Sequence, residues 1–63
     1  MKPGELIRIV YSGDHTIAAE FIGKIGMVVK LKHPHTPVIF EILIDGCVRH
    51  FYRDNLELID AAR

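Results

Sequence analysis

Histidine and cysteine are the residues of this sequence most suited to binding a metal. Four histidines and one cysteine are present, and a tetrahedral nitrogen and sulfur set would draw on His33, His35, Cys47 and His50. Their spacing matches no known zinc pattern, and only one thiol is available. A His-Pro-His loop of this kind is usually solvated. We therefore predict neither a metal site nor a cofactor.

Catalysis by Cys47 and His50 is the second chemistry to test against the spacing. The two residues lie three apart on a predicted strand, so their side chains point to opposite faces. No third group is placed to orient the histidine, and no glycine-rich phosphate loop precedes a helix. Glu41 instead faces His50 across the hairpin, as a cross-strand pair. We predict no enzyme activity and no small-molecule substrate.

Basic residues are unevenly distributed along the chain. No carboxylate lies between Phe21 and Phe40, a stretch with three lysines, and two arginines follow on another arm. A local basic strip is typical of phosphate contacts, and Tyr52 or Tyr11 would stack on unpaired bases. Lysines on a strand also prevent aggregation between sheet edges, so both interpretations stay open. The candidate nucleic-acid contacts are Lys24, Lys30, Lys32, Arg49, Tyr52 and Arg53.

The elements that position these residues are predicted to be strands. Isoleucine and valine total 14 against 5 leucines, and β-branched residues favour strands. Asp45-Gly46 predicts a two-residue type I′ hairpin turn, and a 3₁₀ turn is expected at Arg53–Asn55. A long first loop, Ser12–Ile22, and a proline-rich loop, His33–Pro37, separate the earlier strands. The predicted strands are Glu5–Tyr11, Ile25–Lys32, Val38–Ile44, Cys47–Tyr52 and Leu56–Ile59.

Two segments carry a resemblance to a known fold family. The stretch Gly23–Lys30, Gly-Lys-Ile-Gly-Met-Val-Val-Lys, resembles the core of a KOW motif, with a glycine followed by alternating apolar residues. The tail Ile44–Ile59 resembles the distal hairpin, 3₁₀ turn and last strand of SH3-like barrels, with Leu6–Ile9 as the first strand. The resemblance implies an all-β, five-stranded SH3-like barrel with a long first loop. It also implies binding of RNA, DNA or protein without catalysis.

The chain departs from that family in two respects. It has no tryptophan and no Ala-Leu-Tyr-Asp-Tyr-like segment, so recognition of proline-rich peptides is not expected. It is also neutral, whereas nucleic-acid-binding KOW domains are commonly basic. The pattern is similar, in addition, to small barrels that cap photosynthetic and redox complexes and to short SH3-like phage proteins.

Length and composition limit the remaining classes. The 63 residues predict a single domain, residues 1–63, and 49% of them are hydrophobic. Eight basic and eight acidic residues give zero formal charge, which argues against a disordered polyelectrolyte or a globally basic DNA-coating protein. No signal-peptide core or membrane-spanning run is present, and one cysteine forms no internal disulfide. We expect a cytoplasmic protein, in the host cytoplasm if it is encoded by a phage.

Excess apolarity in the predicted hairpin is the most informative feature. Counting outward from Asp45-Gly46 places Phe40, Ile42, Ile44, Cys47, Arg49 and Phe51 on one face, and Ile39, Glu41, Leu43, Val48 and His50 on the other. Both faces carry large apolar groups. Strand bending into a barrel core explains this, as does a homomeric or heteromeric interface. Our leading hypothesis is a protein interaction or assembly domain, with contacts at Ile39, Leu43, Val48, Arg49 and Tyr52.

Overall fold

The computed structural model describes residues 1–13, 19–35 and 38–60, and all its regular elements are strands or short 3₁₀ turns. The predicted loops Ser12–Ile22 and His33–Pro37 lie partly outside these residues. The strands are β1 (Leu6–Ile9), β2 (Ile25–His33), β3 (Ile39–Ile44), β4 (Cys47–Tyr52) and β5 (Leu56–Asp60). The two 3₁₀ turns are Ala19–Phe21 and Arg53–Asn55. The all-β prediction is confirmed.

The five strands form one antiparallel sheet in the order β4-β3-β2-β1-β5. β1 to β4 follow one another as a meander, and β5 returns to pair with β1. β4 and β5 are therefore the two edges. Because no strand pairing joins these edges in the described ranges, the sheet is not closed. Among the described residues, no helix is long and apolar enough to cross a membrane.

The hairpin between β3 and β4 has the predicted turn and register. Asp45 and Gly46 have φ angles of 51° and 77°, the two positive values that a type I′ turn requires. Ile44 pairs with Cys47 and Glu41 with His50, as counted from the sequence. A two-residue turn determines this register locally, because each strand simply continues from its own side of the turn.

One face of the sheet carries the hydrophobic core. Side chains alternate between the faces of a strand, and the inward set is almost fully buried. Phe21, from the first 3₁₀ turn, covers part of this face and meets Phe51 edge to face, with ring centroids 5.7 Å apart. The core residues are Ile7, Ile9, Val28, Phe40, Ile42, Ile44, Phe51 and Leu56.

Gly26 allows β2 and β3 to approach closely. A Cβ at this position would lie 2.7 Å from Ile42 Cγ2 and 2.8 Å from the Leu43 carbonyl oxygen. A glycine inside a strand often marks such a close approach of another backbone. The register of β2 against β3 shifts further along, between Val28 and Lys30 and again before His33.

Two hydrogen bonds of Asn55 connect the second 3₁₀ turn to the residue that follows β1. Its side chain is fully buried, and Nδ2 donates a hydrogen bond to the Val10 carbonyl oxygen at 3.0 Å. The Val10 N–H donates in turn to the Asn55 carbonyl oxygen at 2.8 Å. Because Val10 bonds to this turn, β1 ends at Ile9, earlier than the Tyr11 predicted from the sequence.

Candidate protein-interaction face

A row of exposed apolar side chains crosses four strands on the face opposite the core. Leu6 lies beside Met27, Met27 beside Leu43, and Leu43 beside Val48. These residues expose 39%, 36%, 36% and 50% of their surface. Directly paired residues of antiparallel strands share a face, so the four side chains form one continuous strip. We call these four residues the apolar row.

Pairs of ionisable side chains border the apolar row on both sides. Toward the ends of β1 and β5, Arg8 Nη1 lies 3.2 Å from Glu57 Oε1. On the other side, two residues along each strand, His50 Nε2 lies 3.7 Å from Glu41 Oε1. Lys30 is the cross-strand neighbour of Glu41 on this side. An apolar strip with a polar border is typical of surfaces that bind other proteins.

The structure separates the residues predicted for a protein interface. Leu43 and Val48 belong to the apolar row, and Ile39 pairs with Tyr52 farther along the same face, where both are half-buried. Arg49 pairs with buried Ile42 on the opposite face, where its guanidinium carbon lies 5.0 Å from the centroid of the Phe21 ring. Arg49 therefore packs on the core-side surface, away from the other predicted contacts.

Leu6 and Met27 were not among the predicted interface residues. Each is an exposed residue between two buried residues, and the sequence shows this alternation of exposed and buried positions. Their alignment with Leu43 and Val48 depends on the pairing of β1 with β2 and of β2 with β3. No short turn determines either pairing, so sequence spacing does not indicate the complete row.

The predicted basic strip is divided between two ends of the sheet. Lys24 precedes β2, and its Nζ contacts Asp45 Oδ2 at 2.5 Å beside the hairpin turn. Lys32 lies near the far end of β2, with Nζ 3.4 Å from both ring nitrogens of His50. Arg53 begins the second 3₁₀ turn, at this same far end. The cations therefore form no single continuous strip.

A cleft of about 260 Å³ opens at the hairpin end of the core-side surface. It contains two cationic and two anionic side chains, so its formal charge is balanced. Lys24 is already paired with Asp45, and Arg49 packs on Phe21. The lining residues are Glu20, Phe21, Lys24, Ile44, Asp45, Cys47 and Arg49.

Cys47 and His50 lie on opposite sides of β4, as their spacing predicts. Cys47 lines the cleft, whereas His50 faces Glu41 on the side of the apolar row. Within residues 1–13, 19–35 and 38–60, no group of three or more histidine, cysteine or acidic residues is arranged to hold a metal ion.

Comparison with models of protein families, with curated proteins and with solved structures finds no match to this chain. The geometry of its surfaces is thus the basis for assigning a function.

Proposed function

We propose that this chain is a non-catalytic binding module of the SH3-like barrel class that associates with protein through the apolar row. The five short strands of one antiparallel sheet support the SH3-like assignment, because the resemblance implies five strands with a tight hairpin before the last turn and strand. The 3₁₀ turn directly before β5 is a second supporting feature.

The apolar row is the observation that carries the proposal. A chain of 63 residues has little interior, yet four of its large apolar side chains lie together on the outer face. Burying such a strip against a partner releases water from apolar surface, at about 25 cal/mol per Å². The ionisable side chains on its borders would provide specificity and orientation more than affinity.

Val48→Asp tests this proposal. Because Val48 is half exposed, a carboxylate there remains hydrated in the free chain, and far-UV circular dichroism should stay β-like. In a complex the carboxylate loses water without a partner, so association should weaken about tenfold or more. Association is measured by sedimentation velocity and by quantitative affinity capture on the immobilised chain.

Leu58→Asp is the matched control, since Leu58 is 47% exposed on edge strand β5 and pairs with Ile7 of the core face, away from the apolar row. It should retain the associations that Val48→Asp loses. Unfolding of Val48→Asp would place this residue in the core and reject the proposal. Identical association profiles for the wild type and both variants would reject it as well.

Nucleic-acid binding is the second candidate, supported by the cations at one end of the sheet. Lys30 and Lys32 of β2 are exposed there. Tyr52, the last residue of β4, and Arg53, in the 3₁₀ turn that follows, lie at the same end of the sheet, two strands away. Lys24 and Arg49, at the opposite end, are engaged by Asp45 and Phe21. Few cations remain to release counterions, so only weak binding that disappears with salt is expected.

Fluorescence anisotropy with labelled single-stranded RNA, single-stranded DNA and duplex DNA distinguishes the two candidates. Under our proposal, the titrations are flat at near-physiological salt. Micromolar binding that falls steeply with salt would favour the nucleic-acid function. In that case Lys30→Glu/Lys32→Glu should abolish binding, while Lys24→Glu and Val48→Asp should leave it largely unchanged.

A further inference from the structure

The geometry points to a second copy of this chain as the partner of the apolar row, in a symmetric face-to-face dimer. This inference rests on the proposed function and specifies its partner. It follows from the positions of apolar and charged residues about the centre of the row, which lies between Met27 on β2 and Leu43 on β3.

A two-fold axis parallel to the strands, passing between β2 and β3, makes the row complementary to itself. Rotation about this axis places Leu6 of one copy over Val48 of the other, and Met27 over Leu43. Both ends of the row then find an apolar side chain opposite, and none meets a charge. Symmetric dimers use such isologous contacts, in which one patch serves both copies.

Charge complementarity selects this axis. Lys30 and Glu41 are direct neighbours across β2 and β3, on the same two strands as Met27 and Leu43. The rotation therefore places Lys30 of each copy over Glu41 of the other, creating two opposite-charge pairs. An axis running along the row would instead bring Glu41 toward the second copy's Asp45, and Lys30 toward Ile25. Of these two axes, the one parallel to the strands is the one that pairs opposite charges as well as apolar groups.

The contact is small, so the dimer should be weak. Four strands at a spacing of about 4.8 Å make the row about 14 Å wide, and the charged neighbours extend it about 7 Å along the strands. A standard interface buries about 800 Å² on each partner, roughly a fifth of the 4228 Å² surface of this chain. We expect a dissociation constant on the order of 100 μM, typical of a transient complex.

An intermolecular nuclear Overhauser effect between Leu6 and Val48 methyl groups is the decisive test. Within one copy these residues lie three strand spacings apart, about 14 Å, which is too far for direct transfer. A sample that mixes isotope-labelled and unlabelled full-length chain at about 1 mM should show the contact between copies. Dilution should shift the amide resonances of the apolar row and of Lys30 and Glu41, and leave those of the core-side surface unchanged.

Charge reversal tests the axis independently of the apolar row. Lys30→Glu and Glu41→Lys should each weaken dimerisation about tenfold in sedimentation equilibrium, because each places like charges opposite one another. The double variant Lys30→Glu/Glu41→Lys should restore it to within about threefold. Arg53→Glu is the matched control, because Arg53 lies outside the apolar row and away from Lys30 and Glu41. This variant should dimerise like the wild type.

A chain that remains monomeric at about 1 mM would overturn the inference. A dimer without the contact from Leu6 to Val48, or a double variant no better than the single ones, would overturn it too. These outcomes differ from failure of the proposed function. The proposed function fails when Val48→Asp unfolds or binds partners like the wild type. If the chain is monomeric but Val48→Asp loses its associations with other proteins, only the inference of a dimer is rejected.

Discussion

Changing Asn55 to aspartate is expected to remove a large part of the chain's free energy of unfolding at neutral pH and 25 °C. The substitution keeps the size of the side chain and replaces the donor Nδ2 with a second carboxylate oxygen. That oxygen would face the Val10 carbonyl oxygen, which now accepts the 3.0 Å hydrogen bond from Nδ2. Asn55 is fully buried, so the carboxylate would also lose its hydration.

The expected cost is a large fraction of the stability of the fold. A buried charge without a partner costs about 3–5 kcal/mol. At 0.05–0.15 kcal/mol per residue, a 63-residue domain has a free energy of unfolding of about 3–9 kcal/mol. Thermal and urea unfolding followed by circular dichroism measure the loss.

Asn55→Ala separates the effect of charge from that of the lost hydrogen bond. It removes the donor without introducing a carboxylate, and should cost about 1–3 kcal/mol. We therefore expect the order of stability to be wild type, then Asn55→Ala, then Asn55→Asp. An Asn55→Asp variant that melts within about 2 °C of the wild type would contradict the role given to this hydrogen bond.

Changing Gly26 to alanine should lower the melting temperature by about 4–24 °C. The new Cβ would lie 2.7 Å from Ile42 Cγ2 and 2.8 Å from the Leu43 carbonyl oxygen, closer than carbon atoms normally pack. Ile42 is fully buried, and Leu43 belongs to a strand paired on both sides, so neither moves easily. Overpacking of this kind costs about 1–3 kcal/mol, or about 4–8 °C per kcal/mol in a small domain.

Gly13→Ala is the control for this prediction. Among the described residues, none lies within 4 Å of a Cβ placed at Gly13, and the φ of Gly13 is outside the left-handed range. Its stability should stay within about 0.5 kcal/mol of the wild type. Calorimetry gives the melting temperatures of both variants, one with the new Cβ at a close backbone approach and one with it at an open position. Equal melting temperatures for the two would contradict the tight packing of β2 against β3.

Arg49 illustrates how the tertiary structure changes the functional hypothesis. In the sequence it was a candidate for both protein and nucleic-acid contacts, because it lies in the hairpin that also carries Val48. The structure packs it on Phe21, a residue 28 positions earlier in the chain. That contact belongs to the core-side surface. The candidate interface on the outer face therefore contains Val48 and the rest of the apolar row, and not Arg49.

Local interactions determined much of the fold, and the sequence predicted those parts closely. β4 and the 3₁₀ turn at Arg53–Asn55 have the predicted limits, and the hairpin register follows from Asp45-Gly46. The opposite orientation of Cys47 and His50 follows from the two-residue repeat of a strand. Each of these features depends on residues within a few positions of one another, so composition and spacing are sufficient to predict them.

Only the tertiary structure decided which hairpin face is the core, because both faces carry large apolar residues. It also aligned Leu6 and Met27 with Leu43 and Val48, and it placed polar Asn55 in the interior. These features depend on pairings between strands that are distant in sequence, and two register shifts in β2 alter the count between them. A register that changes by one residue reverses the face of every later side chain, so local pattern alone does not determine this surface.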